Sequence, residues 1–369
     1  MMDTREVLFF NRSSVHYRES IYKLLDSELN VDFMFGDSRP GGIKPMDASK
    51  LTHFKSTLHN VQIGPFYWQK GVVNLLKSDY SDFITPGDPY CLSTWVLLLK
   101  ARRNKKNVFL WTHGAYGDEK GVKKQIALLR AKLAKGLFLY GNYAKSILEK
   151  WGIPSEKLHV VYNSLSYDEQ LEIRKSLTTS GLYRDHFNNE NKNLVFIGRL
   201  TNVKKLDQAI KAVAKLKEDG IDVNITFIGD GSLRPSLESL AASLGISNQV
   251  WFYGACYDEA KNADFLYQAD LCVSPGNVGL TAMHAMTFGC PVISHNNFPL
   301  QMPEFEAIEE GKTGAFFAEN DVDDLARVIK NWLDSAKDRE VIRNNCYRVI
   351  DEKYNPHVQI NVFKNTILG

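Results

Sequence analysis

Short apolar runs alternate along the chain with stretches of helical spacing, and most of these runs end in turn residues. Runs of this length and ending are typical of buried strands in a parallel sheet. In the first half they cover 6–10, 31–36, 82–87, 107–114, 136–141 and 158–164. In the second half they cover 193–200, 223–231, 249–254, 270–276 and 291–295. Strand–helix alternation that occurs twice predicts two α/β domains, each doubly wound around a parallel sheet.

The length of the chain, 369 residues, exceeds what one ordinary hydrophobic core accommodates, so two domains are expected. Residues 166–193 separate the two series of strands; they are polar and include the run NNENKN, which is typical of a linker around a helix. We therefore predict a first domain over 1–165 and a second over 166–345. Because ligands of doubly wound sheets bind at the carboxyl ends of the strands, polar residues that follow strands are the candidates for a site.

The composition excludes several classes of protein. Hydrophobic residues make up 44% and charged residues 24% of the chain, as in soluble globular proteins. The five cysteines form no C-x-x-C pair, which indicates buried thiols in a reducing compartment rather than a zinc site or a disulfide framework. The N-terminus lacks the long apolar segment of a signal peptide, and no apolar run reaches the ~18 residues of a membrane span. These features predict a cytoplasmic protein.

The net charge of +2 conceals an asymmetry, because residues 1–163 carry +9 and the remainder −7. In the stretch 119–136, apolar residues recur at helical spacing among lysines and arginines: Val122, Ile126, Leu129 and Leu133. Such a helix suits an anionic membrane surface. The solvated face of an ordinary helix is the alternative. Nucleic acid is not expected as a partner, since no interleaving of aromatic and basic residues accompanies the charge.

Six short motifs in the second half occur in a definite order. They are G-R-L-x-x-x-K (198–204), I-G-D-G (228–231), F-x-G (252–254), A-D-x-x-V-S-P (269–275), G-L-x-x-x-x-A-M-x-x-G-x-P-V-I (279–293) and E-E-G-K-T-G (309–314). In this order they resemble the donor-binding domain of the family 4 glycosyltransferases, the retaining enzymes of GT-B fold. The resemblance covers 193–334 and extends more weakly to His113-Gly114 and to 152–164.

The resemblance implies a GT-B fold, with two Rossmann-like domains that face each other across a cleft. The first domain would lie on the acceptor side, and the second would bind the sugar nucleotide. The segment 346–369, which contains NPHVQINVFKNTIL, resembles the last helix of GT-B proteins that crosses back to the first domain. The first 110 residues match the family only in architecture.

The resemblance assigns a diphosphate site to Arg199 and Lys204, and physical chemistry agrees with it. Loss of a nucleoside diphosphate places negative charge on phosphate, which an enzyme without a metal must stabilise with cations and N–H dipoles. Arginine offers a planar fork and lysine a point charge. Gly279, Leu280 and Thr281 begin a predicted helix whose free N–H groups, with the Thr281 hydroxyl, would bind the same phosphates. Solvated loop cations are the alternative for the pair.

Further donor contacts are expected along the nucleoside and in the turn before the same helix: Asp230, Gly254, Ala255, Cys256 and Asn277. In the family, the stretch after F-x-G lies along the base. Asp230 can equally cap the helix that follows it.

No metal or cofactor is expected. The acidic residues Asp321 and Asp323 are typical of a helix start, whereas a metal-binding D-x-D motif would follow a strand. The sequence also contains no G-x-S-x-G elbow and no G-x-x-x-x-G-K-[ST] loop.

Two carboxylates of the family motif are missing. In the family one glutamate holds the donor sugar and a second holds the ribose; aligned on Gly279, their positions are taken by Gly276 and His284. His284 can hydrogen-bond a ribose hydroxyl or carry a proton toward the diphosphate. A packed helix histidine is the alternative. Glu304 and Glu306 are candidates to replace the two missing carboxylates, and Glu306 matches the family's Glu before E-x-G. The alternative is that both are surface acids in a polar loop.

In the first half, His113 ends a predicted strand. The matching family histidine reaches the donor sugar across the cleft, and a structural histidine at the strand end is the alternative. Arg12, His16 and Arg18 lie in the loop after the first strand, on the acceptor side. Their charge suits a phosphate-bearing acceptor such as a lipid-linked oligosaccharide.

Together these features predict a retaining, metal-independent glycosyltransferase with His113, Arg199 and Lys204 as catalytic residues. It would move a hexosyl group from a nucleoside-diphosphate sugar to a saccharide or lipid-linked saccharide, in the synthesis of a surface polysaccharide such as lipopolysaccharide or capsule. The expected location is cytoplasmic, with the inner face of the cytoplasmic membrane as a peripheral site. The alternative is a catalytically silent GT-B protein that binds a sugar nucleotide and partners an active enzyme.

Overall fold

The computed structural model describes residues 6–38, 45–335 and 338–369. The chain divides into two compact units. Unit 1 combines Met1–Ser166 with Tyr354–Gly369, and unit 2 is Tyr167–Lys353.

Unit 1 contains a parallel sheet, a separate hairpin and flanking helices. The strands of the sheet are β1 (Val7–Asn11), β2 (Asp32–Gly36), β3 (Phe54–Leu58), β6 (Asp82–Pro86), β7 (Asn107–Thr112), β8 (Gly136–Leu139) and β9 (Leu158–Val160), and the antiparallel hairpin is β4 (Asn60–Ile63) with β5 (Phe66–Gln69). The sheet order is β3-β2-β1-β6-β7-β8-β9. The helices are α1 (Glu19–Leu29), α2 (Leu92–Ala101), α3 (Gly121–Leu133) and α4 (Asn142–Lys150), joined later in the chain by α13 (Pro356–Leu368).

The central strands of unit 1 are apolar on both faces because helices cover both faces. Successive side chains of a strand point to opposite sides of the sheet. Phe9 accordingly joins one buried cluster with Tyr22 of α1, and Leu8 joins the other with Leu97 of α2. This arrangement explains why the sequence of β1 is a continuous apolar run rather than an alternation of apolar and polar residues.

Unit 2 contains a second parallel sheet and eight helices within its described residues. The strands are β10 (Lys192–Ile197), β11 (Val223–Ile228), β12 (Val250–Gly254), β13 (Leu271–Val273), β14 (Val292–His295) and β15 (Gly314–Phe317), in the order β12-β11-β10-β13-β14-β15. The helices are α5 (Tyr167–Ser176), α6 (Leu182–Phe187), α7 (Leu206–Glu218), α8 (Arg234–Ser243), α9 (Glu259–Gln268), α10 (Leu280–Thr287), α11 (Val322–Asp334) and α12 (Arg339–Glu352). The strand order reverses between β10 and β13, and such a switch point is where open α/β sheets bind ligands.

Two parallel α/β units confirm the predicted fold class, and each predicted strand is present. The prediction omits β3, β4, β5 and β15. β3 and β4 are rich in polar and exposed residues, and the apolar run of β5 is only three residues long. β15, with the sequence GAFF, is too short to distinguish from a loop.

The returning segment of the chain starts later than the predicted boundary after residue 345. Cys346, Val349 and Ile350 are buried side chains of α12, which packs against α10 of unit 2. The return to unit 1 therefore begins at Tyr354.

Helix α13 completes the core of unit 1. Phe363 is fully buried, and its ring centroid lies 4.2 Å from that of Phe138 and 5.0 Å from that of Trp111. Helix α13 also packs along α1. The end of the chain thus covers one face of a sheet whose strands all lie in the first half of the sequence.

The substitution Phe363→Ala should lower the free energy of unfolding of unit 1 by about 3–5 kcal/mol, because it removes a buried aromatic ring and leaves a cavity. Chemical denaturation followed by tryptophan fluorescence measures the change. Asn361→Ala, on the exposed face of the same helix, is the control and should shift stability by less than about 0.5 kcal/mol. Equal losses in both variants would contradict a core role for α13.

Candidate functional site

The loop after β10 and the turn after β13 are joined through their backbones. The Gly276 N–H donates to the Lys204 carbonyl at 3.0 Å, and the Asn277 N–H donates to the Val203 carbonyl at 3.2 Å. The Lys204 ammonium in turn donates to the Asn277 carbonyl at 2.7 Å. The predicted diphosphate lysine and the predicted phosphate turn therefore form one structure at the switch point of the sheet.

Gly276 permits this close approach. A Cβ atom at this position would lie 2.0 Å from the Val203 carbonyl oxygen and 2.7 Å from the Lys204 carbonyl carbon. Any side chain here would push the two loops apart. The glutamate that the family places at this position therefore has no room, and its absence follows from the backbone packing.

A buried glutamine holds the turn from the opposite side. The Gln301 side-chain carbonyl accepts the Val278 N–H at 2.8 Å, and its amide donates to the Ser294 hydroxyl at 2.8 Å. The Ser294 hydroxyl shares its hydrogen between the Ser274 carbonyl at 2.9 Å and the Gly276 carbonyl at 3.2 Å. Sequence reasoning missed both residues, because a polar residue in a loop carries no signal of burial.

Helix α10 begins directly after this turn, with Gly279 in a left-handed conformation at φ 52°. The first N–H groups of a helix have no acceptor within it, so the N–H groups of Leu280 and Thr281 are suited to an anion. The Thr281 hydroxyl behaves differently from the prediction. It donates to the Ile197 carbonyl at 2.9 Å, which uses its only hydrogen.

Three charged groups meet beside the turn. Lys204 is partly buried, Glu304 is buried, and Arg199 is exposed beyond the end of β10. Burial lowers the pKa of Lys204 to about 8, Glu304 opposes this shift, and Arg199 adds to it. Glu306 lies in the same short helical segment as Glu304 and is partly buried. Glu304 is thus a buried acid beside the lysine rather than a surface acid of a polar loop.

The loops after β10, β11 and β12 form the predicted nucleoside side of the site. The Gly198 N–H donates to the Ile228 carbonyl at 2.9 Å, and the Gly229 N–H donates to the Gly254 carbonyl at 2.8 Å. Asp230 is exposed, and its carboxylate accepts the Gly231 N–H at 2.7 Å. Helix α8 begins further along the chain without a side-chain cap, so Asp230 does not cap it. Ala255 and Cys256 follow in the open loop before α9, Ala255 exposed and Cys256 partly so.

His284 is paired with a carboxylate from another helix. Its Nε2 lies 2.9 Å from a Glu259 carboxylate oxygen, and the Gln170 amide donates to the same oxygen at 2.6 Å. Burial alone would raise the pKa of Glu259, but the hydrogen bond and charge of His284 hold it below its usual value. A carboxylate therefore lies beside the position of the family's second glutamate. No sequence signal indicated Glu259, because only the fold brings α5, α9 and α10 together.

Unit 1 contains a cavity of about 980 Å³ at the carboxyl ends of β1, β6 and β7, with one wall formed by α3. Of the residues predicted for the acceptor side, Arg12 and Arg18 line this cavity, and so does His113. His16 is exposed and does not belong to the lining that the described residues form. The guanidinium carbon of Arg12 lies 4.5 Å from the ring centroid of Tyr67.

His113 is neutral in this cavity. Burial lowers its pKa to about 4, and the charge of Arg18 contributes in the same direction. Its ring centroid lies 4.8 Å from that of Tyr140 and 5.8 Å from that of Tyr116. Neutral imidazole has one donor and one acceptor nitrogen, so His113 can bind a hydroxyl in either sense.

The described residues contain neither a cluster of metal-ligating side chains nor a membrane-spanning helix. Among the residues that the structure describes, no group of three or more His, Cys, Asp or Glu side chains is arranged to hold a metal ion. Within the same residues, no helix has the length and apolar character needed to cross a bilayer.

Comparison with known proteins supports the resemblance found in the motifs. Residues 184–349 match the family model of glycosyl transferases group 1. An uncharacterized glycosyltransferase of Methanocaldococcus jannaschii is 27% identical over 69% of this chain and 64% of its own length. The alpha-D-kanosaminyltransferase of Streptomyces kanamyceticus is 24% identical over 60% of this chain and 57% of its own length. The chain thus spans less than two thirds of these relatives.

Solved structures show the same fold over almost the whole chain. The Anabaena protein HepE in complex with UDP superposes with a TM-score of 0.73 at 16% identity, covering 98% of this chain and 99% of that one. The lipopolysaccharide outer core galactosyltransferase WaaB superposes with a TM-score of 0.71 at 17% identity, with the same coverage. At this level of identity the likeness establishes the GT-B fold.

The pKa of Lys204 predicts the pH dependence of nucleoside diphosphate binding. A lysine that titrates at about 8 loses its charge above that pH, so affinity should fall by up to tenfold for each further pH unit. The diphosphate is already fully ionised in this range and does not contribute. Calorimetric titration with UDP and with GDP on both sides of pH 8 measures the effect.

Lys204→Arg is the matched variant, because arginine keeps its charge throughout this range. It should bind with an affinity that does not change with pH. A parent protein whose affinity stays constant through alkaline pH would contradict the assignment of Lys204 to the phosphates.

Proposed function

We propose that the protein is a retaining, metal-independent glycosyltransferase, because residues 184–349 match the family model of glycosyl transferases group 1. Unit 2 binds a nucleoside-diphosphate sugar, and unit 1 binds a saccharide or lipid-linked saccharide that accepts the sugar. The observation that carries this proposal is the attachment of the Lys204 ammonium to the turn at the start of α10.

This attachment prepares the site for a leaving diphosphate. The Lys204 ammonium, the Arg199 guanidinium and the N-terminus of α10 supply positive charge and N–H donors that are in place before the reaction. Such preorganised groups stabilise charge that develops in a transition state without having to reorganise. With a pKa of about 8, Lys204 is still largely protonated at neutral pH. These groups support chemistry that does not depend on a metal ion.

The carboxylates of unit 2 favour an active enzyme over the silent alternative. Gly276 cannot carry an acid, but Glu304 is buried beside Lys204, and Glu259 lies beside His284. We assign Glu304 to the orientation of Lys204. We assign the Glu259–His284 pair to the ribose hydroxyls, which a carboxylate and an imidazole can both bind.

Incubation with a panel of sugar nucleotides, with and without saccharide acceptors, should release nucleoside diphosphate, and release should persist in excess EDTA. Arg199→Ala and Lys204→Ala should each weaken diphosphate binding by ~1.5–3 kcal/mol, the range for charged hydrogen bonds. Lys211→Ala, an exposed lysine of α7, is the control and should bind like the parent. NMR of the product should show the anomeric configuration of the donor.

Two outcomes count against the proposal. Unchanged diphosphate affinity in both site variants removes the donor site from unit 2. Tight binding of a sugar nucleotide without release under any acceptor condition favours the silent alternative, in which the protein partners an active enzyme.

We further propose that the enzyme works at the inner face of the cytoplasmic membrane, where it builds a surface polysaccharide such as lipopolysaccharide or capsule. Helix α3 supports this location, because two of its apolar side chains are exposed and do not line the cavity of unit 1: Val122 at 74% and Leu129 at 48%. Lysines flank these side chains, and α2 ends in Lys100 and Arg102 nearby in the basic half of the chain. An apolar stripe bordered by cations is the pattern of a helix that lies on anionic lipid.

The protein should sediment with vesicles that contain phosphatidylglycerol and leave them near 1 M salt, where the Debye length falls to ~3 Å. The double variant Val122→Ser, Leu129→Ser should weaken sedimentation because it removes the apolar contact. Val341→Ser is the control, since Val341 is 56% exposed, between Leu129 and Val122, but lies on α12 of unit 2. Binding to pure phosphatidylcholine as strong as to the anionic vesicles, or no binding to either, would exclude an electrostatic anchor.

A further inference from the structure

Arg18 contributes a cation to the cavity of unit 1 without a carboxylate partner among the described residues. One of its terminal nitrogens donates to the Tyr140 hydroxyl, and its guanidinium carbon lies 4.6 Å from the ring centroid of Trp111. Its Nε is buried and has no hydrogen-bond partner in the described part of the chain. Aromatic rings and the hydroxyls of Tyr140 and Tyr22 therefore surround a charge with which no carboxylate of the described residues pairs.

Two of the three acids that line the cavity, Glu119 and Asp88, are engaged elsewhere. The Glu119 carboxylate accepts the backbone N–H groups of Tyr116 and Gly117 at 2.8 and 2.9 Å. The Asp88 carboxylate accepts the Tyr90 N–H at 2.9 Å, and its charge acts on Arg130. Neither they nor Asp118, the third acid of the lining, forms an ion pair with Arg18, so within the described residues the charge of Arg18 has no carboxylate partner.

Two other buried nitrogens in the cavity also have no hydrogen-bond partner among the described residues: Trp111 Nε1 and His113 Nδ1. Their side chains and Arg18 all contact Tyr140, so the three groups lie in one region of the lining. Buried polar groups are almost always hydrogen-bonded, and those that are not call for an explanation. Together with the charge of Arg18, these two nitrogens make this region of the lining rich in hydrogen-bond donors that the described residues leave unmatched.

We propose that this cavity binds the acceptor through an anionic group, a carboxylate or a phosphate on a saccharide, that pairs with Arg18. This inference rests on the proposed function, because it names the chemical class of the acceptor. The planar fork of arginine matches the oxygens of either anion. The cavity is also lined by flat aromatic side chains, including Tyr67, Tyr90 and Trp95, which suit the apolar face of a sugar ring. Its volume of about 980 Å³ accommodates more than one sugar unit.

Saturation-transfer NMR with three probes tests the proposal: glucuronate, glucose 1-phosphate and uncharged glucose. The parent should bind at least one of the anionic probes roughly 10- to 100-fold more tightly than glucose, as expected for a charged hydrogen bond. The preferred probe distinguishes a carboxylate from a phosphate acceptor. Equal binding of the three probes, or binding of none, overturns the proposal.

Arg18→Met should abolish the preference for the anion, and Arg103→Met, a surface arginine of the same unit, should retain it. Arg18→Met should also unfold at the same temperature as the parent or a higher one, because it removes a partly buried charge that lacks a partner. A preference that survives in Arg18→Met overturns the proposal. If Arg18→Met does not fold, Arg18→Lys replaces it; this variant keeps the charge without the fork, so a preference equal to that of the parent overturns the proposal.

Binding of the probes in unit 2 is tested separately. Lys204→Ala should keep the preference for the anionic sugar while losing affinity for UDP or GDP, and Arg18→Met should show the reverse. Loss of the preference in Lys204→Ala alone would place the anion in the diphosphate site and overturn the proposal for unit 1. Failure of the parent to bind any nucleoside diphosphate would instead contradict the proposed function.

Discussion

The contact between Gly276 and the backbone at Val203 and Lys204 is the constraint on which the candidate donor site depends. Because no Cβ atom intervenes, the turn after β13 lies directly against the loop after β10. The Lys204 ammonium can then reach the Asn277 carbonyl, and α10 starts with its N–H groups next to that ammonium. A larger residue at 276 would separate the lysine from the helix start, so the same glycine that excludes a carboxylate assembles the cation site.

Lys204 and Arg18 are two partly buried cations in contrasting surroundings. Burial lowers the pKa of Lys204 to about 8 although the charge of Glu304 opposes this shift, and the Lys204 ammonium donates a hydrogen bond to the Asn277 carbonyl. Arg18 keeps its charge at any ordinary pH and is surrounded by aromatic rings. A lysine whose pKa is lowered can gain a proton when negative charge appears beside it during a reaction. A permanently charged arginine suits an anion that is present throughout.

The sequence predicts the architecture well because both sheets are covered on two faces, which makes their strands continuous apolar runs. Motif order likewise predicts that the region of Lys204 and the start of α10 belong to one site. The remaining parts depend on contacts distant in sequence. Gln301 supports the turn from a loop that follows β14, and Glu259 reaches His284 from another helix. Neither residue has a local pattern that separates it from an ordinary polar residue, so only the fold reveals them.

The two absent glutamates also differ from each other in physical terms. At Gly276 the backbone packing forbids any side chain, so a carboxylate is incompatible with the loop itself. At His284 the helix has room for a side chain, and the imidazole holds the carboxylate of Glu259, whose pKa it lowers. The first departure is therefore a change of loop geometry, whereas the second transfers an acid from α10 to α9 and keeps it ionised. Near Gly276 the cations remain in place without the acid, and near His284 an acid remains in place on a different helix. The chain therefore differs from the family motif more in which residues carry the charges than in the charges themselves.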